Sequence, residues 1–172
     1  MTVEQAMAFA LQRCRTAREA VKLIGSLMET YGFLPSTGPE SEGLAIADTR
    51  EVWIMEIFSV GPLWEPGKGD PGAIWAAQRL PDDQVAVIPN WSIIKTIDPA
   101  RSEEFMVSPN YLQAAVDRGW YDPKSGKPFI WQETYAPLPR AQEVIASGLP
   151  TLVVRNLAQA VDRVSAQRLD GA

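Results

Sequence analysis

The apolar positions near the start of the chain recur with the period of an α-helix. Thr16 and Glu19 have the spacing of a capping box, and Gly32 supplies a left-handed stop. The pattern therefore predicts a helix that begins at Thr16 and ends before Gly32, preceded by a shorter helix over residues 3–13. The apolar stripe of the longer helix consists of Ala20, Val21, Ile24, Leu27, Met28 and Tyr31.

After residue 42 the pattern changes to short apolar and β-branched runs, which are typical of strands. Residues 43–48 and 51–58 predict an antiparallel hairpin. Residues 73–78 and 84–88 predict a second strand pair, joined by the turn-rich segment Leu80-Pro-Asp-Asp83. Helices followed by four strands indicate an α+β fold in which helices pack on an antiparallel sheet.

Loops and a further helix complete this pattern. Residues 35–42 and 60–72 are rich in Gly and Pro and predict long loops, of which the second could shape the rim of a pocket. Ser108 before Pro109 predicts an N-cap and a third helix that runs to about Arg118.

Composition narrows the class of protein. The chain has 172 residues and 46% hydrophobic content, which suits a single domain. Its net charge of -5 comes from 21 acidic and 16 basic residues without a long basic run, so nucleic acid is not expected as a partner. No apolar run approaches the roughly 20 residues that span a bilayer, and the start does not resemble a signal peptide, so no membrane association is expected. The single cysteine, Cys14, fits a reducing compartment and a soluble protein of the cytoplasm.

The chain contains no histidine, which excludes Ser-His-Asp and Cys-His catalytic arrangements and imidazole metal sites within it. Acid–base chemistry must then come from carboxylates, lysines, tyrosines or an amino terminus. Asp82 and Asp83 form an acidic pair, but a Pro-Asp-Asp sequence favours a turn, and divalent-metal loops need more oxygen ligands at regular spacing. We therefore expect no metal and no cofactor.

Three residues could act as nucleophiles. Arg13 and Arg15 flank Cys14 and would lower the pKa of its thiol, but no histidine is present as a base, and a partly buried helical residue is the preferred interpretation. Removal of Met1 would expose Thr2, whose hydroxyl and amine could act together, although an N-cap paired with Gln5 explains it better. Ser108 has no Gly-x-Ser-x-Gly surround and is interpreted as a helix cap.

Four segments in order carry a resemblance to a known family: Arg79-Leu-Pro-Asp-Asp83, Asn90, Phe105-Met-Val-Ser-Pro-Asn110 and residues 119–129. They resemble the core of a cysteine dipeptidase, a family of N-terminal-nucleophile hydrolases. The resemblance covers residues 5–137, so residues 1–137 are expected to form part of such a domain and residues 138–172 a helical tail that packs on it. It implies half of a four-layer αββα architecture.

The resemblance also implies site residues. Asn90 stands where the family carries an asparagine that acts as an oxyanion-hole donor, and the next residue is Trp91 where the family usually has arginine. Trp64, in the loop 60–72, and Trp91 are candidate substrate contacts. Trp53 and Trp75 lie within predicted strands and are more consistent with the core.

In that family the nucleophile is a cysteine at the first residue of the mature enzyme, whereas this chain begins with Met1-Thr2. The leading hypothesis is therefore a dipeptidase component that cleaves small peptides through a cysteine acyl-enzyme in its complete form and is inactive alone. A non-catalytic binding or scaffold domain of the same fold is the alternative, and a fragment of a longer product is a third.

Half of a sandwich would expose an apolar sheet face. A complementing chain that carries the nucleophile, self-association, or packing of the tail over residues 140–168 could each cover it.

Overall fold

The computed structural model describes residues 1–36, 41–88 and 92–136. Within these ranges one antiparallel sheet, with strand order β1-β2-β3-β4, lies between two groups of helices. The helices are α1 (Val3–Arg13), α2 (Ala17–Tyr31), α3 (Tyr111–Asp117) and α4 (Trp131–Tyr135), and the strands are β1 (Ser41–Ala47), β2 (Val52–Ser59), β3 (Ala73–Arg79) and β4 (Phe105–Val107). A short 3-10 helix spans Pro123–Ser125. The α+β class predicted from the sequence is confirmed.

The first two helices begin and end where the sequence predicts. Thr2 and Gln5 form a reciprocal capping box at the start of α1. At α2 the Thr16 hydroxyl accepts from the Glu19 N–H at 3.2 Å, while the Glu19 carboxylate accepts from the Arg15 N–H at 2.8 Å. Helix α2 ends at Gly32, whose φ of 76° is readily available only to glycine.

The predicted hairpin is also confirmed. Strands β1 and β2 pair with Leu44 opposite Met55. Strand β1 begins at Ser41, two residues before the predicted start at residue 43. Strand β3 pairs with β2 on one side and with the short β4 on the other.

The predicted strand over residues 84–88 is wrong, because these residues form no strand. Strand β4, which the sequence pattern did not predict, pairs with the edge of β3 that residues 84–88 would have used. A turn closed by the Gln84 N–H and the Pro81 carbonyl leads the chain away from β3, and Val85 is exposed. The apolar residues of segment 84–88 alternate as in a strand, but no neighbouring strand pairs with this segment in the described residues.

One face of the sheet, the helix face, packs against α1 and α2. Side chains alternate along β2 and β3, so Trp53, Met55 and Ile57 and, from β3, Trp75 point to this face and are buried. The positions of Trp53 and Trp75 in the core are confirmed. Other core members on this side include Ala6, Ala10, Val21, Ile24 and Met28.

The opposite face, the second face, is covered by the same chain. Phe58, Ile74 and Ala76 pack against Ile94 and against residues of α3 and α4, including the fully buried Trp131. The expectation that this face stays exposed until a partner or the tail covers it is therefore wrong. Short helices and an irregular segment, rather than a second sheet, cover it.

Ser108 does not cap α3, contrary to the prediction. Asn110 takes the N-cap position without a side-chain cap bond. Ser108 directly follows β4 and is buried against β3, where its hydroxyl accepts from the Trp75 N–H at 3.1 Å and its N–H donates to the Trp75 carbonyl at 2.9 Å. The Ser108 hydroxyl satisfies the backbone N–H of a buried strand residue, so it does not cap the helix.

The predicted helical tail, residues 138–172, lies outside the described residues, as do residue 137 and the segment 140–168. Among the helices of the described ranges, none has the length and apolarity needed to cross a membrane.

Candidate functional site

A buried carboxylate organises the second face. Glu56, in the middle of β2, is 5% exposed and accepts four hydrogen bonds. Its donors are the Ser92 hydroxyl at 2.5 Å, the Ile93 N–H at 2.6 Å, the Ile94 N–H at 3.1 Å and the Trp131 indole N–H at 2.8 Å. A buried carboxylate is costly unless its oxygens are satisfied, and here four donors satisfy them. Glu56 thus fixes residues 92–94 and α4 onto the sheet.

Further bonds hold the same segment. The backbone N–H of Trp131 donates to the Lys95 carbonyl at 2.8 Å, and the side-chain amide of Gln132 donates to the Ser92 carbonyl. Earlier in the chain, Ile88 lies so close over β1 that a Cβ atom built at Gly43 would be 2.9 Å from its Cγ2. Only glycine therefore fits at residue 43 without displacing Ile88.

Asn90 and Trp91, the predicted oxyanion donor and one predicted substrate contact, lie outside the described residues. Their sequence neighbours Ile88 and Ser92 are described, and both contact the sheet. The role of each of the two residues stays a prediction.

A polar pocket of about 480 Å³ lies beside this segment. Gln78 of β3 and Phe105 of β4 are opposite each other in the sheet and both line it. The segment after Ser92 contributes Ile93, Lys95 and Thr96, and the turn before β4 contributes Asp98 and Arg101.

Trp64 lies at the other end of β3. Its ring packs on the backbone of Gly32 and Gly72, where built Cβ atoms would approach it to 2.5 and 2.7 Å. Its indole N–H donates to the Asp70 carbonyl at 2.8 Å. The ring therefore fastens the loop 60–72 to the end of α2, and contact with substrate stays a prediction.

The acidic pair takes part in a local charge network. Asp82 forms an ion pair with Arg79 at 2.6 Å, three residues away, and Asp83 is exposed. The Glu51 carboxylate lies 3.4 Å from Arg79 and accepts bidentate bonds from Arg18 at 3.0 and 3.2 Å. This arrangement fits the turn interpretation of Asp82, and within the described residues no group of three or more carboxylate or thiol side chains could hold a metal.

Cys14 and Thr2 have structural surroundings. Cys14 is the C-cap of α1, and burial together with the charge of Glu19 raises the pKa of its thiol. The sequence-based expectation that Arg13 and Arg15 lower this pKa is wrong, because burial and a nearby carboxylate both disfavour the thiolate. Thr2 uses its hydroxyl to accept from the Gln5 N–H at 3.5 Å, as an N-cap does.

Comparison with known proteins identifies the family. The sequence model of Peptidase family C69 matches residues 1–147. The chain belongs to this family of cysteine dipeptidases. The match is longer than the resemblance over residues 5–137 that the motifs indicated.

Curated relatives carry dipeptidase names. The chain is 30% identical over 122 residues to a probable dipeptidase of Salmonella dublin, covering 71% of this chain and 24% of the relative. It is 37% identical over 90 residues to probable dipeptidase B of Lactococcus lactis subsp. lactis (strain IL1403), covering 52% and 15% of the two chains. It is 29% identical over 120 residues to dipeptidase A of Lactobacillus helveticus, covering 70% and 22%. The C69 chain thus spans about a quarter or less of the length of these relatives, and no solved structure matches it.

Sequence reasoning missed Glu56, which has the most hydrogen-bond partners on the second face. A signal was present: Glu56 is the only charged residue in the apolar run of β2, residues 52–59. A lone charge inside a buried strand requires partners, but the sequence does not say that they lie 36 to 75 residues later in the chain.

Proposed function

We propose that this C69 chain is a component of a dipeptidase that hydrolyses small peptides through a cysteine acyl-enzyme, and that the attacking thiol comes from outside these 172 residues. Membership of the family and the dipeptidase names of its relatives support the reaction class. The observation that carries the second part is the environment of Cys14, the single cysteine. Its thiol has a raised pKa, and the chain has no histidine to deprotonate it.

The chemistry assigned to the complete enzyme follows from this class. A cysteine thiolate attacks the peptide carbonyl carbon, the amine leaves with a proton, and water then hydrolyses the thioester. The developing oxyanion needs a donor, and we assign that role to the side-chain amide of Asn90. One such donor typically lowers the barrier by about 3 kcal/mol.

The remaining assignments rest on the same proposal. A complementing chain that begins with a processed cysteine supplies the nucleophile. Trp64 and Trp91 contact the substrate. A protein of the cytoplasm fits a single cysteine that cannot form an internal disulfide.

An assay of the purified chain tests the proposal. A panel of dipeptides is incubated with the wild-type chain and with a Cys14→Ala variant, with and without a thiol-alkylating reagent, and release of free amino acids is measured. We expect no turnover above the buffer rate in any sample. Turnover that the reagent blocks and Cys14→Ala abolishes would show that the chain contains its own nucleophile, and the proposal would be wrong.

A second candidate function is a non-catalytic binding domain of the same fold. The observation that favours it is a polar pocket within a part of the chain that lacks an activated nucleophile. An adjacent reading frame that encodes a processed N-terminal cysteine would favour the dipeptidase component. Its absence would favour the binding domain.

A further inference from the structure

Helix α1 leaves large apolar side chains exposed on one of its sides. The helix packs into the core through small residues, so Val3, Ala6 and Ala10 are buried. Met7 and Leu11 lie four residues apart on an adjacent side of the helix and are 38% and 83% exposed. The core of the chain therefore does not use this side of α1.

The exposed side of α1 borders an open apolar pocket. Met7, Leu11 and Arg15 line a pocket of about 220 Å³ together with Ala45 and Ile46 of β1. Strand β1 is the outermost strand at this end of the described sheet. Apolar side chains that are grouped beside an open pocket, rather than scattered singly, mark an interaction surface.

Charges of opposite sign stand at the two ends of this side. Glu4 precedes Met7 by three residues in the first turn of α1, and its carboxylate accepts from the Ser36 hydroxyl at 2.6 Å. Arg15 follows the helix and lines the pocket with Leu11. Both charged residues are exposed, and neither forms an ion pair with another described residue. We name the set of Glu4, Met7, Leu11 and Arg15 the α1 stripe.

The α1 stripe is complementary to itself when a second copy of the helix runs antiparallel. Glu4 then meets Arg15 of the partner subunit, and Met7 meets Leu11 of the partner subunit. A two-fold axis repeats each contact, so the interface is closed after two copies. A parallel arrangement would instead place Glu4 beside the partner's Glu4, and like charges would meet at both ends.

We propose that this chain forms a two-fold symmetric homodimer in which the α1 stripes of two copies pack antiparallel. The exposed Leu11 of each copy packs against Met7 and the neighbouring pocket of the partner. The inference goes beyond the proposed function and does not depend on it. The surface also differs from the second face of the sheet, which the chain itself covers.

The size of the surface indicates a reversible dimer. Helix α1 has 11 residues and is therefore roughly 16 Å long. Two helices of this length bury less than the approximately 800 Å² per partner of a standard interface. We therefore expect a dissociation constant of roughly 10–100 µM, at which monomer and dimer are both populated in an ordinary sample.

Sedimentation equilibrium of the purified chain tests the association. The wild type and Leu11→Glu are compared from about 5 to about 500 µM, a range that brackets the expected dissociation constant. A reductant is present so that Cys14 cannot link two chains through a disulfide. We expect a monomer–dimer equilibrium for the wild type and association at least about thirty-fold weaker for Leu11→Glu, because the interface would bury two carboxylates. Leu63→Glu, the same change at a residue that is 93% exposed and does not line the pocket, should associate as the wild type does.

Charge reversal tests the antiparallel orientation. Glu4→Arg places two cations at each end of the interface, and Arg15→Glu places two anions there. Each variant alone should associate about ten-fold more weakly than the wild type at low ionic strength. An equimolar mixture of the two variants should recover the association, because each end then joins a cation to an anion. A structural defect in either variant would not be repaired by mixing.

Three outcomes would overturn the proposal. One is a wild-type chain that stays monomeric at every concentration. Another is a dimer that Leu11→Glu leaves intact, since a different surface would then hold it. The third is a mixture of the charge variants that associates no better than each variant alone. None of these outcomes bears on the source of the nucleophile, so the dimer and the turnover assay are decided separately.

Discussion

The two faces of the sheet are buried by different physical means. On the helix face, Trp53, Met55 and Ile57 pack against two helices whose own backbone hydrogen bonds are satisfied internally. On the second face, an irregular segment covers the strands, and its N–H groups at Ile93 and Ile94 need acceptors from elsewhere. The Glu56 carboxylate supplies them. Apolar packing can bury a helix on a sheet, but burial of an irregular segment also requires a polar partner.

The largest effect is expected from removing that partner. Glu56→Leu keeps a side chain of similar size but leaves four donors without their acceptor, three of them in buried bonds: the Ser92 hydroxyl, the Ile94 N–H and the Trp131 indole N–H. We expect the free energy of unfolding to fall by about 3 kcal/mol or more, because each buried unsatisfied donor costs about 1–3 kcal/mol. Urea denaturation measures this loss.

The neighbouring residue provides the control for this variant. Ile57 lies in the same strand and points to the helix face, so Ile57→Val removes one methylene there and should cost about 1 kcal/mol. Hydrogen exchange should show selective loss of protection at Ile93 and Ile94 in Glu56→Leu only. If Glu56→Leu costs no more than Ile57→Val, the carboxylate does not hold the second face.

The same contrast explains what the sequence could predict. Helix α2 and the hairpin of β1 and β2 follow from residues within a few positions of each other, such as Thr16 with Glu19 or Thr49-Arg50 between two apolar runs. The second face depends on bonds between residues 36 to 75 positions apart. The spacing of residue types within a short segment does not indicate such distant partners. The prediction of a strand over residues 84–88 was therefore wrong, and β4 was missed.

The charge and chemistry of individual side chains show the same limit. Flanking arginines suggested a lowered pKa for Cys14, but its folded surroundings raise it. Ser108 has the local sequence of a helix cap, yet the backbone of Trp75, 33 residues earlier, binds its hydroxyl. For Cys14 burial is the main cause, and for Ser108 the cause is a backbone group distant in sequence, so neither outcome follows from the adjacent residues.

A glycine on the helix face gives the next largest effect. Gly25, inside α2, lies directly under Trp75, and a Cβ atom there would be 2.4 Å from the indole Cε2. The ring cannot easily move away, because its N–H donates to Glu29 at 2.7 Å. We therefore expect Gly25→Ala to destabilise the chain by about 1–3 kcal/mol, although alanine normally improves a helix by about 1 kcal/mol over glycine.

Ser26→Ala, on the exposed side of the same helix, is the matched control for this variant. It should stabilise the chain by a few tenths of a kcal/mol, because only helix propensity changes there. Thermal or urea denaturation of the two variants measures the opposite signs. A gain in stability for both would show that Trp75 does not press on the helix backbone as closely as the structure has it.

The smallest effect comes from Glu29, the acceptor of the Trp75 indole. Burial raises the pKa of the Glu29 carboxyl above 4.5, and the bond from Trp75 offsets only part of this rise. Because the folded state favours the protonated form, Glu29 contributes most stability below its unfolded pKa, and that contribution is lost as the pH rises through the folded pKa. Glu29→Gln keeps an acceptor for Trp75 and removes the charge. The variant should therefore unfold at a higher urea concentration than the wild type at pH 8, and the two should coincide at pH 4.

Glu133→Gln, which removes the same charge from an exposed residue, should show no gain at pH 8. A gain in both would assign the effect to the net charge of the chain rather than to the burial of Glu29.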